Sequence, residues 1–305
     1  MVSVRGGDVC RVNCRTPISR NRNKVNEMTD ITLVLGASGF VGSEVCRLLR
    51  SEGHRVRTAT SKPTSDPDAV VVDVLQGNGM KAAFKNVTKA FLMAPPGHSD
   101  QHALLSPQIR EAKANDLKKV VMLSAPGAGD KKETPFRKAE VELEKSGLDY
   151  AILRPNWFMQ NFNSYWLNDI RKERSIYLPV GSARASFIDT RDIGAAAAAV
   201  LTTAIGKSGI LELTGPAAIT HSEIADEIST VTGEPIRFVD VPPTAFESRL
   251  LGFGVPGPTV DYLLHILAQL KDGQRAPVTF TFEEVVGRKP RYFSEYARDH
   301  RKHWK

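Results

Sequence analysis

Short apolar segments alternate with longer amphipathic ones along the first half of this chain. The short segments are rich in apolar and β-branched residues, as is typical of strands buried on both faces, and they cover residues 31–35, 55–60, 69–72, 90–93, 120–123 and 150–153. The longer segments place apolar residues on one helical face and cover residues 41–51, 104–115 and 136–145. Strands that alternate with helices favour a parallel sheet with helices on both faces, so we predict a doubly wound α/β fold.

The pattern becomes less regular after residue 155, where aromatic residues cluster and loops, strands and helices mix. We therefore expect a main α/β domain over residues 28–155 and a smaller α+β lobe over residues 156–305. Part of residues 185–201 is expected to pack back on the main domain. Thr220 and Glu223 have the spacing of a capping box, which predicts a helix that ends at residues 232–233.

Composition and charge exclude several classes of partner. A hydrophobic content of 41% in 305 residues is enough for a full core, but no apolar run approaches the ~20 residues of a membrane span. Residues 1–27 carry six basic and two acidic side chains, so the rest of the chain accounts for only +3 of the net charge of +7. Since both signs are mixed in that remainder, we expect neither nucleic acid nor a membrane as partner.

The basic N-terminal segment, residues 1–27, has no hydrophobic periodicity, and we expect a disordered tail. It lacks the apolar core of a secretory signal. Its arginines leave a transit peptide open, while the simpler interpretation is an upstream start codon, with the folded protein beginning at Met28. Two of the three cysteines lie in this tail, so no disulfide framework is expected and a reducing, cytoplasmic location fits; the three are Cys10, Cys14 and Cys46.

A glycine-rich segment joins the first predicted strand to the first predicted helix. Only glycine suits a tight turn at Gly36, a close approach to a ligand at Gly39 and close packing of helix on strand at Gly42. The following helix points its N-terminus, with its partial positive charge, at this loop. The segment therefore predicts a site for the pyrophosphate of a dinucleotide, formed by Gly36, Ser38, Gly39, Phe40, Val41 and Gly42.

The end of the second strand distinguishes the two nicotinamide dinucleotides. An acidic residue there would hold the ribose 2′-hydroxyl of NAD, but residues 54–65 contain none. The same segment contains Arg55, Arg57, Ser61 and Lys62, which suit the 2′-phosphate of NADP. We therefore predict NADP, with NADPH preferred over NADH, and expect Ser61 and Lys62 to contact it. The alternative is that Arg55 and Arg57 are simply solvated charges at the edge of the sheet.

Ligands of open α/β sheets bind outside the carboxyl ends of the strands, so residues that follow other strands should line the cofactor. Asp73 is placed to meet the adenine edge, or else it caps a turn. Ala94, Pro95 and Pro96 follow the fourth strand, and Ser124 follows the fifth. These residues are small and close-fitting, although the two prolines also serve simple rigidity.

Several segments together resemble the NmrA-like branch of the atypical short-chain dehydrogenases. They are residues 36–42, 123–124, 136–140, 147–150, 153–162, 186–193 and 287–293, and the likeness covers most of residues 28–304. That branch includes quinone and imine reductases, benzylic ether reductases and nucleotide-sensing regulators without turnover. The resemblance implies a Rossmann fold that binds NAD(P), and it leaves enzyme and regulator both open.

The usual proton donor of the wider family is missing. It is a tyrosine followed four positions later by a lysine that lowers the pKa of the phenol, and none of the six tyrosines here has that partner. Ordinary alcohol dehydrogenation is therefore not expected. Lys138 lies where reductases of the atypical branch resemble one another, so it is expected to hold the nicotinamide ribose, and so contact the cofactor, or to donate a proton. The alternative is a surface lysine that pairs with Glu142.

Polar and aromatic residues follow the sixth strand at the same edge of the sheet. We expect Asn156 to join Lys138 as a catalytic residue, and Trp157 and Phe158 to floor a substrate pocket beside the nicotinamide. The alternative is that Trp157, Phe158 and Phe162 tie the two lobes together as core residues, which at least one of them should do. His98, in the loop after the fourth strand, lines the pocket and protonates the product, or is simply exposed.

These residues predict an NADPH-dependent oxidoreductase that transfers hydride to a small planar quinone, imine or carbonyl acceptor, because an aromatic floor positions flat acceptors. No residue cluster has metal-ligand spacing, and no Gly-x-Ser-x-Gly motif occurs. The main alternative is a non-catalytic NADP sensor that acts through a protein partner. An epimerase or dehydratase with tightly bound cofactor is a third, since fold does not fix function. A monomer or a homodimer is expected.

Overall fold

The computed structural model describes residues 30–203 and 208–305. The predictions for residues 1–27, for Cys10 and Cys14 and for Met28 lie outside the described residues. The strands are β1 (Ile31–Leu35), β2 (Arg55–Thr60), β3 (Ala69–Val71), β4 (Lys89–Leu92), β5 (Lys119–Leu123), β6 (Tyr150–Pro155), β7 (Ser175–Leu178), β8 (Arg184–Ala185), β9 (Gly209–Leu213), β10 (Ile219–Thr220) and β11 (Arg237–Asp240).

The helices follow the strands in alternation through the first half of the chain and cluster toward the C-terminus. They are α1 (Phe40–Ser51), α2 (Met80–Phe84), α3 (Gln101–Ala114), α4 (Pro135–Glu144), α5 (Leu167–Glu173), α6 (Thr190–Thr202), α7 (His221–Thr232), α8 (Pro243–Gly252), α9 (Gly257–Lys271), α10 (Thr281–Val286) and α11 (Phe293–His300), with 3-10 turns at Met159–Asn163 and Arg301–His303.

Seven parallel strands form the central sheet, in the order β3-β2-β1-β4-β5-β6-β9. Strand β1 pairs with β2 on one side and with β4 on the other, so the order reverses between β1 and β4. Side chains alternate between two cores: Val34 packs with α1 and α6, while Leu33 and Leu35 pack with α3 and α4. The predicted doubly wound α/β fold is confirmed.

Helix α6 lies against α1 on one face of the sheet. A Cβ placed on Gly194 would lie 2.6 Å from Cβ of Glu44, so the two helices approach more closely than a larger residue allows. Ile193 and Ala197 of α6 are buried in the same cluster as Val45 of α1. The alanine-rich composition of α6 thus serves close helix packing.

Small sheets and helices complete the second half of the chain. Strand β11 pairs in parallel with β7, and β10 pairs in antiparallel fashion with β8. The capping box is confirmed: Thr220 Oγ1 accepts from the Glu223 backbone at 3.1 Å, and Glu223 Oε2 accepts from the Thr220 backbone at 2.7 Å. Gly233, with φ of +76°, ends α7 at the predicted position.

Strand β9 and helix α2 are among the elements that the sequence pattern did not predict. Strand β9 lies at the edge of the sheet and is only half buried, so it lacks the continuous apolar run by which the other strands were found. Helix α2 has five residues, too few to show a helical period. Across residues 30–203 and 208–305, no helix is both long enough and apolar enough to cross a membrane.

Candidate functional site

The glycine loop makes a tight turn between β1 and α1. Gly36 has a φ of +65°, and a Cβ there would lie 2.2 Å from Sδ of Met93. A Cβ on Gly42 would lie 2.2 Å from the carbonyl oxygen of Gly36, a backbone atom that cannot swing aside. The Gly39 N–H donates to that same oxygen at 2.9 Å and closes the turn. Gly36 and Gly42 therefore both exclude a side chain.

The N-terminus of α1 is open. Ser38, Gly39 and Phe40 are exposed, and a Cβ on Gly39 would meet only one backbone oxygen, at 3.3 Å. Among the described residues, no side chain caps this helix, and its first turn holds no acidic residue. The first N–H groups of a helix lack intrahelical acceptors, so this end can bind an anion. Val41 and Gly42 are buried and shape the loop from below.

Exposed side chains follow β2, as the 2′-phosphate prediction requires. Ser61 and Lys62 are both exposed directly after the strand. Arg57 has a structural role instead, since its Nη1 donates to the carbonyl oxygens of Ala83 at 2.9 Å and Lys85 at 2.6 Å. Its guanidinium therefore binds the end of α2 instead of standing free for a phosphate.

The first carboxylate beyond this segment, Asp66, is already neutralised. Its Oδ2 accepts from Arg50 Nη2 at 2.7 Å and from Thr58 Oγ1 at 2.8 Å. The hydrogen bond from Arg50 is the main reason that the pKa of Asp66 lies below its ordinary value. An acidic group for a ribose 2′-hydroxyl is therefore not offered by Asp66.

Asp73 caps its own turn. Its Oδ1 accepts from the backbone N–H groups of Leu75 at 2.9 Å and Gln76 at 3.1 Å. This is the alternative considered for Asp73, and a contact with an adenine remains a prediction.

The loop after β4 is compact. Ala94 and Pro95 are half buried, Pro96 is exposed, and His98 is half buried. The carbonyl oxygen of His98 accepts from Gln101 Nε2 at 2.5 Å, which ties the loop to the start of α3. The backbone of this loop is thus held in place, while contact with a ligand remains a prediction.

Ser124 is fixed by a buried charged network. Its Oγ donates to Glu140 Oε1 at 2.7 Å, and the fully buried Glu140 also accepts from Arg154 Nε at 2.8 Å and Arg137 Nη1 at 3.0 Å. Burial opposes ionisation of Glu140, but hydrogen bonds from Arg154, Ser124 and Arg137 outweigh it and hold the pKa of Glu140 below its ordinary range. The end of β5 is therefore fastened to α4 and β6.

Lys138 stands half exposed near the start of α4. Its Nζ lies 3.2 Å from the carboxylate of Glu133. Glu142 has other partners: it accepts from Ser106 Oγ and pairs with His102 Nε2, both at 2.9 Å. The alternative that Lys138 pairs with Glu142 is therefore wrong, and the ammonium group remains accessible.

Asn156 is buried, and its amide joins three segments of the chain. Nδ2 donates to Ser186 Oγ at 2.7 Å and to the carbonyl oxygen of Arg275 at 2.8 Å, while Oδ1 accepts from the Trp157 N–H at 2.8 Å. Both amide hydrogens are thus used within the protein. This favours a positioning role over the direct contact with substrate that the sequence suggested.

The aromatic residues after β6 divide into core and surface. Phe162 is fully buried and is the core residue expected among the three. Trp157 is half buried and stacks on Trp166, with ring centroids 6.1 Å apart and planes 13° apart. Phe158 is also half buried and packs on the core beneath α1. Trp157 and Phe158 therefore keep part of their surface available.

The strand order separates these residues into two groups. The glycine loop and the Ser61–Lys62 pair belong to β1 and β2, whereas Ser124 and Asn156 belong to β5 and β6, beyond β4. Three residues of the second group were missed, namely Glu140, Arg154 and Arg275. Arg154 lies in an otherwise apolar strand, where a charged residue signals a buried pair. Glu140 lies in a helix rich in charged residues, so its burial has no such signal in the sequence. Arg275 lies in a polar loop that gives no such signal.

A cavity of about 210 Å³ lies in the second half of the chain, lined by Met159, Phe187, Ile219, Phe293 and neighbouring residues. None of the predicted site residues lines it. The candidate site therefore lies at the carboxyl ends of the strands and not in this cavity.

Comparison with known proteins gives a family and several relatives. The model of the NmrA-like family matches residues 28–297. The chain is 30% identical to an NAD(P)H azoreductase from Xenophilus azovorans, over 88% of this chain and 97% of the relative. It is 27% identical to prestalk A differentiation protein A of Dictyostelium discoideum, over 88% of this chain and 91% of the relative.

Among solved structures, the fold is similar to that of an NADPH-dependent quinone oxidoreductase from Escherichia coli. The TM-score is 0.74 at 20% identity, and the match covers 87% of this chain and 98% of the other.

Proposed function

Because this chain belongs to the NmrA-like family, we propose that it is an NADPH-dependent oxidoreductase that reduces a small planar quinone, imine or carbonyl acceptor. The observation that carries the proposal is the open, uncapped N-terminus of α1 beside a glycine loop that excludes side chains. Residues 28–155 would hold the cofactor, and residues 156–305 would complete the acceptor site.

The residues present fit the cofactor. The backbone N–H groups of Phe40 and Val41 would hold the pyrophosphate, and Ser61 and Lys62 would hold the 2′-phosphate. When bound, NADPH supplies a hydride, which carries two electrons. The one proton that balances the reduction would come from water or from a side chain of this protein.

The chain's own residues orient the acceptor and deliver the proton. Lys138 carries an accessible ammonium and would contact the nicotinamide ribose or donate the proton. Asn156 would act indirectly, since its amide sets the backbone of Trp157 and the loop of Arg275. A flat acceptor needs mostly positioning, which the exposed part of Trp157 supplies.

The names of two similar proteins support this class of acceptor. One relative is named as an NAD(P)H azoreductase and a structural neighbour as a quinone oxidoreductase, and both names imply flat, conjugated substrates. We also propose a cytoplasmic location, with which the free and buried Cys46 is compatible, and a monomer or homodimer.

The test is oxidation of NADPH, followed by absorbance, with a panel of quinones, azo dyes, imines and aldehydes. We expect turnover with at least one planar acceptor. Lys138→Gln should lower kcat by about 10- to 100-fold, whereas Lys145→Gln, at the other end of the same helix, should leave it unchanged. Asn156→Ala should raise the acceptor KM more than it lowers kcat and leave the Kd of NADPH unchanged.

The outcomes separate enzyme from sensor. Tight NADPH binding without turnover on any acceptor would contradict the reductase and favour an NADP-sensing regulator that acts through a protein partner. A nucleotide retained through purification, with no net oxidation of added NADPH, would point to an epimerase or dehydratase.

A further inference from the structure

Two arginines reach the loop that follows β5. A Cβ on Gly129 would lie 2.9 Å from Nη2 of Arg154, and a Cβ on Gly127 would lie 2.6 Å from Nη2 of Arg275. Both arginines are buried, with 9% of Arg154 and 6% of Arg275 exposed. The two glycines therefore leave room for two guanidinium groups at the carboxyl edge of the sheet.

The two guanidinium groups differ in their counter-charges. Arg154 pairs with Glu140 and, through Nη1 at 3.0 Å, with Glu212. Arg275 takes part in none of the ion pairs between residues that the structure describes, and its Nη2 donates to the neutral amide oxygen of Gln269 at 2.6 Å. A buried cation is normally paired, so Arg275 is the unusual one.

Carboxylates act on Arg275 only from a distance. Asp130 is exposed, and its Oδ2 lies 2.7 Å from the position that a Cβ on Gly127 would take, near the guanidinium but without an ion pair to it. Burial lowers the pKa of Arg275, and the negative charges of Asp130 and Glu212 offset this only in part. The site thus lacks one negative charge in contact with Arg275.

The backbone of Arg275 is held firmly beside the predicted acceptor residues. Its carbonyl oxygen accepts from the Ser186 N–H at 3.0 Å and from Asn156 Nδ2 at 2.8 Å. Ser186 Oγ also donates to the carbonyl oxygen of Pro277 at 2.7 Å. These hydrogen bonds therefore hold the loop between α9 and α10 against the end of β6, next to Trp157.

We propose that Arg275 binds an oxyanion of the acceptor, a carboxylate, sulfonate or phosphate group, so that the protein selects planar acceptors that carry a negative charge. The location rests on the proposed function, because it takes the acceptor to lie between the loop after β5 and Trp157. The planar donors of a guanidinium match such a group in two parallel hydrogen bonds. The acceptor's charge then supplies the counter-charge that the protein withholds.

The experiment compares matched acceptors and matched inert probes. KM is measured for 1,4-naphthoquinone and 1,4-naphthoquinone-2-sulfonate, and calorimetry gives the Kd of naphthalene-2-sulfonate and of neutral 2-naphthol. Arg275→Gln should raise the KM and Kd of the sulfonated compounds at least about tenfold and change those of the neutral ones by less than about twofold. Lys131→Gln, which removes an exposed charge from the loop that follows β5, should change the KM and Kd values of neither group of compounds.

A folded Arg275→Gln variant with unchanged preference for sulfonates would overturn the inference. If that variant fails to fold, calorimetry on the native protein tests the inference. Equal Kd values for naphthalene-2-sulfonate and 2-naphthol would contradict an anion site. The redox-inert pair also keeps the two proposals apart. Absence of turnover would reject the reductase, while selective, Arg275-dependent sulfonate binding would still support the anion site.

Discussion

The two ends of the candidate site are built in different ways. At the glycine loop, the groups that we propose to bind the cofactor are backbone atoms within residues 36–42. At the acceptor end, Asn156 binds Ser186 and Arg275, which lie 30 and 119 positions further along the chain. A backbone site is encoded locally, whereas the acceptor site depends on side chains that only the finished fold brings together.

The two ends also handle charge differently. The helix N-terminus offers partial charges that face solvent, so nothing buried is left uncompensated when the site is empty. The acceptor end buries full charges on Glu140, Arg154 and Arg275. Substitutions at the acceptor end should therefore affect stability most, and those at the cofactor end should affect binding most.

The largest effect is expected for Glu140→Gln. It leaves Arg154 and Arg137 without their shared carboxylate, and breaking a buried pair of this kind destabilises by about 3–5 kcal/mol. Urea denaturation at about pH 7 measures the loss. Glu52→Gln, at an exposed position, is the control and should change stability by less than about 0.5 kcal/mol.

The same variant has a defined pH dependence. The pKa of Glu140 is depressed in the folded state. The ionised carboxylate therefore adds to the free energy of unfolding above the ordinary pKa of 4.5, and this contribution is lost as pH falls through the folded pKa. The stability gap between native protein and variant should therefore narrow below that pH. A gap that stayed constant down to about pH 3 would contradict an ionised Glu140.

A smaller effect on stability, with a larger one on binding, is expected for Gly42→Ala. The added Cβ would meet the Gly36 backbone at 2.2 Å, and overpacking of this kind destabilises by about 1–3 kcal/mol. Because α1 must shift, the Kd of NADPH should rise by more than about tenfold. Gly252→Ala adds a Cβ with no atom within 4 Å, so it should leave both quantities nearly unchanged.

The smallest effect is expected for Lys62→Gln. Loss of one exposed cation should raise the Kd of NADPH by about 3- to 10-fold and leave that of NADH unchanged. Lys172→Gln, on the exposed surface of α5, serves as control. An equal change for both nucleotides would show that Lys62 does not bind the 2′-phosphate.

The contrast between the two ends explains what the sequence could predict. Six strands, the glycine turn and the capping box follow from local periodicity and turn chemistry, and all are present. The role of Arg57 was not predictable, because its partners Ala83 and Lys85 lie at the C-terminal end of a helix too short to show a period. Arg275 was missed since a polar loop gives no sign that the residue will be buried beside the loop that follows β5.

The central claim is hydride transfer within this chain, and stereospecifically deuterated NADPH tests it most directly. NADPH labelled at C4 on one face or the other is oxidised with a planar acceptor, and the mass of the NADP⁺ product is measured. Transfer from a bound nicotinamide predicts complete loss of deuterium from one labelled form and complete retention from the other. No NADP⁺, or the same mixture of masses from both forms, would contradict the claim.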